Sequence, residues 1–183
     1  MASVLSTSEQ RRETVVSSAI TAFSRTGYLG TPIATVAEHA AISPAYVFKL
    51  FPGKEALFVA ALDSCFDRIL DALEQGASSA VDTSPDGILD SMGGAYAELI
   101  ADRQLLMLQV HALSAAEVAP IGDALRRGLA RVTRFASTRS GASDASVQRF
   151  VAYGQLCHLI VTAGVENIPE DWARLVSAGI RHP

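Results

Sequence analysis

Lys49 and Lys54 are the only lysines in the 183-residue chain, and they stand five residues apart beside Tyr46, Phe48 and Phe51. A lysine ammonium meets phosphate oxygens or guanine, aromatic edges reach sugars or a thymine methyl, and a small residue such as Ala45 permits close approach to a groove. Lys54 follows Pro52-Gly53 at the start of an expected helix, where Glu55 suits the positive end of the dipole and a lysine does not. An exposed cation there costs ~0.3–1 kcal/mol, and an anion bound at the same point would reverse the sign. A fully solvated lysine would carry a negligible penalty, so the spacing alone leaves both readings open.

The other reactive side chains give no comparable pattern. Cys65, Cys157 and the four histidines have neither CxxC nor ligand spacing, so neither a metal nor a cofactor is expected. Cys157 and His158 are adjacent, and neighbours on a helix point about 100° apart, which does not make a nucleophile–base pair. GxSxG, P-loop, HExxH and GxGxxG motifs are all missing from the sequence, and no enzyme is expected.

The elements that must position the lysines read as helices. Val16, Ile20 and Phe23 recur at i, i+4 and i+7, and Gly27 is placed to end that helix. Thr31-Pro32 and Ser43-Pro44 each combine an N-cap hydroxyl with proline at the first helical position. Between them Ile33, Val36, Ala37 and Ala40 form a short apolar stripe. Two short helices joined this closely make a helix-turn-helix over about residues 32–51. In the second, Val47, Leu50 and Phe51 share an inward face, leaving Ala45, Phe48 and Lys49 opposite and Tyr46 on the flank. The aromatics could equally pack against the first helix, since aromatics at helical spacing are commonly core.

The run "TPIATVAEHAAISPAYVFKLFPGKEALF" resembles the DNA-binding segment of the TetR family of transcriptional regulators, through Ala37-Glu38, Ser43, Phe48, Phe51-Pro52 and Lys54-Glu55. With the preceding helix the resemblance covers about residues 9–58. It departs from the family pattern at Phe48, where tyrosine is commoner, at Leu50, where histidine or tyrosine is common, and at Pro44 and Tyr46, which replace polar residues. The resemblance implies a repressor that leaves an inverted-repeat operator when a small molecule binds. It places the DNA contacts at Thr31, Ser43, Pro44, Ala45, Tyr46, Phe48, Lys49 and Lys54.

Beyond Lys54 the pattern stays helical, and no segment reads as strand. Leu57, Leu62, Phe66, Ile69 and Leu73 line one long helix, and Ser84-Pro85-Asp86 starts the next. Arg126, Arg127, Arg131 and Arg134 form an outer row opposite Ile121, Leu125, Val132 and Phe135, which suits a solvated face better than a second nucleic-acid surface. Met92 with Tyr96, and Met107 with His111, are i, i+4 pairs near Arg103. They could line a pocket for an uncharged, largely apolar effector, or serve only as core. Residues 150–165 are apolar around most of their circumference. Gly154 and Gly164 there allow close approach, and Trp172, Leu175, Val176, Gly179 and Ile180 form a stripe after Pro169. These two last helices suit a homodimer interface, Gly154, Gly164, Trp172, Leu175, Val176 and Ile180 being its candidates, and the resemblance implies the same.

Composition agrees with this organisation. At 49% hydrophobic and 19% charged residues, the chain has enough apolar surface to fold rather than remain disordered. The net charge of −4 divides into +2 over residues 1–54 and −6 over the rest, a mildly basic head on an acidic body. The N-terminus lacks the order of a signal peptide, and the longest uncharged stretch, Phe150–Val165, is too short to span a bilayer, so a cytoplasmic location is expected. The expectation is therefore an all-α protein: residues 1–53 a three-helix DNA-binding domain, residues 54–183 a helical domain for effector binding and dimerisation. A helical protein–protein adaptor that binds neither DNA nor ligand is the alternative, and it would leave Lys49 and Lys54 unexplained.

Overall fold

A computed structural model of the chain describes residues 7–179. Among these residues every regular element is a helix. α1 spans Thr7–Gly30, but at Gly27 the backbone turns to φ 70°, ψ −176°, so the helix breaks where the sequence predicts its end and one further turn runs on to Gly30. α2 (Ile33–His39) and α3 (Pro44–Leu50) follow, then the long α4 (Lys54–Ser78). α5 (Pro85–Ile100), α6 (Arg103–Ser114), α7 (Ala119–Ser140) and α8 (Asp144–Ala163) complete the longer helices. A 3-10 turn at Val165–Asn167 leads into α9 (Asp171–Ser177).

The predicted caps divide. Ser43 Oγ accepts from the Tyr46 amide at 3.2 Å ahead of Pro44, and Ser84 Oγ accepts from the Gly87 amide at 3.1 Å ahead of Pro85. Thr31 does not cap α2: the cap residue is Pro32, in extended backbone with no side-chain bond. The Thr31 side chain turns inward instead, 1% exposed, and donates to the Gly27 carbonyl at 2.7 Å. The freed carbonyl at the α1 break competes for the hydroxyl and wins it, because a buried acceptor without a partner costs about 1–3 kcal/mol.

The described residues pack as two compact units, one formed by residues 7–65 together with Leu108–Arg126, the other by Phe66–Met107 together with residues 127–179. In the first, Val15, Phe23, Val36, Val47, Phe51, Leu57 and Phe58 are all buried, with the Phe23 and Phe58 rings edge to face at 4.9 Å. In the second, Phe66, Ile69, Leu73, Met92, Ile100 and Leu106 are buried. There the Phe66 ring lies where a Cβ on Gly128 would sit, so α4 and α7 meet closely enough to require glycine. Arg131 donates to Asp67 at 2.6 Å and Arg139 bridges Glu74 at 3.3 Å on the outside of the same pair of helices. Arg126, Arg127, Arg131 and Arg134 are all exposed, as expected of a solvated row.

At the C-terminal end Ile160, Val165 and Ala173 form a buried cluster with Leu156, Ile168 and Val176 packed on it. The expected stripe on the last helix is shorter than the sequence suggests. α9 ends at Ser177, Ala178 is extended and Gly179 takes φ 76°, so Gly179 does not continue the helical face, and Ile180 lies outside the described residues. Among the described residues no helix is long and apolar enough to cross a membrane.

Candidate nucleic-acid interface

The α2–α3 pair is held by its own backbone. Ala40 and Ile42 amides bond to the Val36 and Ala37 carbonyls, and Ala41 between them adopts φ 52°, which reverses the chain toward Ser43. From that turn α3 presents two faces. Val47 and Phe51 are each 1% exposed and anchor it in the core, with Leu50 half-buried beside them. Ser43, Pro44, Ala45, Phe48 and Lys49 are exposed on the other side, Phe48 by 54%, and Tyr46 is half-buried. The Lys49 ammonium stands 5.9 Å from the Tyr46 ring centroid. A large apolar ring is left more than half in water between a methyl and a cation. It suits a groove with phosphates on its rim.

Lys54 is placed differently. Its Nζ donates to the Leu29 carbonyl at 3.3 Å and lies 4.9 Å over the Tyr28 ring, and burial lowers its pKa from the ordinary lysine value. Tyr28 Oη donates in turn to Glu55 at 3.4 Å, and its own pKa is raised by burial first and by Glu55 next. Lys54 therefore ties the end of α1 to the start of α4 in the protein itself.

Arg12, which the sequence reading passed over, supports α3 from α1. Its guanidinium donates to the Leu50 carbonyl at 2.6 Å and lies 4.1 Å over the Phe51 ring. The last carbonyls of a helix lack intrahelical partners, and a cation is the favoured one. Arg11, one residue earlier, lines a shallow groove with Ala41, Ile42, Ser43 and Tyr46 at the other end of α3. Nothing in the Arg11-Arg12 pair distinguishes these tasks in sequence, because both depend on where α3 comes to lie. Arg12→Met should lower stability by about 1 kcal/mol, as expected of an exposed charge-assisted bond, and weaken DNA binding several-fold. The slope of log K against log salt should stay unchanged, since no phosphate contact is lost; a slope reduced by about one unit would make Arg12 a phosphate ligand instead.

The residues read as an effector site fall in both units. Met92 is fully buried, Tyr96 and Met107 are half-buried, and exposed Arg103 donates to the Val161 carbonyl at 3.2 Å, all within the second unit. His111 belongs to the first, where its ring faces Gly27. Tyr96 bonds instead to His158 of α8, Oη to Nε2 at 2.7 Å, a partner 62 residues away that its helical spacing could not reveal. Of the residues read as a dimer interface, Gly154 sits against Tyr96 and Gly164 closes α8 at φ 65°. Val176 packs on the internal cluster, while Trp172 and Leu175 are 47% and 78% exposed.

Residues 15–61 match the family of bacterial regulatory proteins described as the tetR family. Over nearly its whole length the chain has the fold of several solved regulators. A TetR-family transcriptional regulator from Agrobacterium tumefaciens shares 15% identity at a TM-score of 0.69, covering 93% of this chain and 94% of that one. A transcriptional regulator from Rhodococcus sp. Rha1 shares 16% at 0.71, with 90% of each chain covered. A TetR-like transcriptional regulator from the same source shares 19% at 0.66, with 92% of each covered. No curated protein matches the chain in sequence. Residues 15–61 are thus a DNA-binding domain of the tetR family, and the chain is a DNA-binding transcriptional regulator with the all-helical fold found in that family.

Proposed function

We propose that the protein acts in the cytoplasm as a homodimeric repressor, bound to an inverted-repeat operator and released from it by a small, largely apolar effector. Residues 1–53 read the DNA and residues 54–183 dimerise and bind the effector. The observation that carries the DNA-reading role is the outward face of α3, Ala45, Phe48 and Lys49, on a helix whose opposite face is locked in the core by Val47 and Phe51. Dimerisation is supported by the apolar side chains that α8 and α9 leave in solvent. Effector control is supported by residues 108–126 packing in the same unit as the DNA-reading helices, with His111 against Gly27, a physical route from α6 to the start of α2. Two such heads related by a two-fold axis require half-sites about one helical turn apart.

Binding to duplex DNA at two or more salt concentrations tests the reading. Lys49→Ala should weaken binding, lower the salt slope by about one unit and blur sequence preference. Lys54→Ala should weaken binding to all sequences alike, and because Lys54 also holds Leu29 it should lower stability slightly. Wild-type affinity in both variants at low salt would move the interface away from α3.

A further inference from the structure

His158 is the one buried imidazole of the second unit among the described residues, 5% exposed on α8, and only half of its bonding capacity is used. Nε2 meets Tyr96 Oη at 2.7 Å, while Nδ1 is buried without a partner. A polar atom left in that condition is destabilising, and native interiors retain one chiefly where something else completes it. The surrounding seam between α5 and α8 has room beside two of its glycines. A Cβ added at Gly154 would meet only Tyr96 Cε1, at 3.7 Å, and one at Gly93 only Phe150 Cε2, at 3.9 Å, both ordinary contact distances. Fully buried Met92 lies one turn before Tyr96 on α5 and supplies an adaptable apolar surface.

We infer that His158 is the polar handle of the effector site, and that its Nδ1 receives the carbonyl oxygen of an uncharged, largely apolar molecule held at the α5–α8 seam. This rests on the effector reading above and names the ligand chemistry for it. The direction of the bond follows from acid–base strength. A phenol donates better than a neutral imidazole, and an imidazole nitrogen accepts better than a phenol oxygen, so the Tyr96 hydroxyl donates its hydrogen bond to Nε2 and the ring's own hydrogen sits on Nδ1. The free group is then a donor that wants an acceptor. Burial lowers the His158 pKa to about 4, so the ring is neutral at ordinary pH. A carboxylate buried against a neutral ring would lose more hydration than one hydrogen bond returns, which selects a ketone, ester or lactone over an acid.

Two probes of equal shape separate the outcomes: 2-nonanone, and 2-methyl-1-nonene, in which a methylene replaces the carbonyl oxygen. The full-length protein should bind the ketone about tenfold more tightly, the worth of one hydrogen bond. In nitrogen-15-labelled histidine spectra, the ketone alone should move the His158 Nδ1–H resonance downfield. His158→Leu should abolish the preference, and Tyr96→Phe, which frees the ring to change tautomer without altering its bulk, should reduce it. Equal binding of the two probes, binding of neither, or a preference that survives His158→Leu overturns the inference. Operator release is measured separately. A ketone that binds through His158 without releasing DNA leaves the site standing and removes the effector reading; release by another compound that leaves the Nδ1–H resonance unmoved does the opposite.

Discussion

Gly27→Ala is expected to lower the unfolding free energy by about 2–6 kcal/mol and to depress DNA binding with it. Two independent terms add. At φ 70°, ψ −176° the backbone occupies a region open essentially to glycine, and a residue with a Cβ held there costs about 1–3 kcal/mol. The added carbon would also lie 2.8 Å from His111 Nδ1 and 3.1 Å from Cγ, an overlap that forces the imidazole or α1 to move, costing about 1–3 kcal/mol more. The Gly27 carbonyl accepts the Thr31 hydroxyl, and Lys54 holds Leu29 two residues on, so the displacement falls directly on the entry to α2. Thermal unfolding of Gly27→Ala, His111→Ala and the double variant separates the two terms. The double variant should recover the steric part and keep the backbone part. An unchanged melting temperature in Gly27→Ala would show that α1 does not break as described.

The second large effect concerns association. Trp172→Asp combined with Leu175→Asp should convert the protein to a monomer by sedimentation and weaken operator binding by at least about 100-fold, because the second half-site then loses its effective-concentration advantage. The two positions suit the test because they are the exposed apolar residues of α9, at 47% and 78%, while the intrachain cluster runs through Ala173, Val165 and Ile160. Trp172 donates to the neighbouring exposed Glu170. Removing both side chains should therefore leave the monomer's fold and melting behaviour nearly unchanged, by the usual tolerance of exposed sites. Leu159 on α8, 58% exposed, provides a third position for the same purpose, and Leu159→Asp should weaken the dimer without affecting Cys157 and His158 beside it, which face inward. A dimer that persists in both variants would place the interface elsewhere.

Local patterns carried the sequence reading as far as local physics reaches. The 3.6-residue period of apolar side chains, the Ser-Pro starts at residues 43 and 84, and the Pro52-Gly53 break needed nothing beyond neighbouring residues. The matching helices start within a residue or two of those signals. The two-faced character of α3 was legible for the same reason, since Val47 and Phe51 against Ala45, Phe48 and Lys49 is a matter of angle on one helix. What tertiary structure decided is every assignment in which a polar group had a choice of partner. Thr31 had the spacing of a cap, but the α1 break set an unpaired carbonyl within 2.7 Å of it, and the buried acceptor took the hydroxyl. Lys54 had the position of a phosphate ligand, and the end of α1 brought a carbonyl of the protein within 3.3 Å of the same ammonium. Arg12, Tyr96 and His158 acquired roles only when residues 38 and 62 positions away came into reach. A side chain's period along a helix tells which way it points; what waits there depends on how distant helices pack, and the free energy of a buried hydrogen bond is set at that meeting.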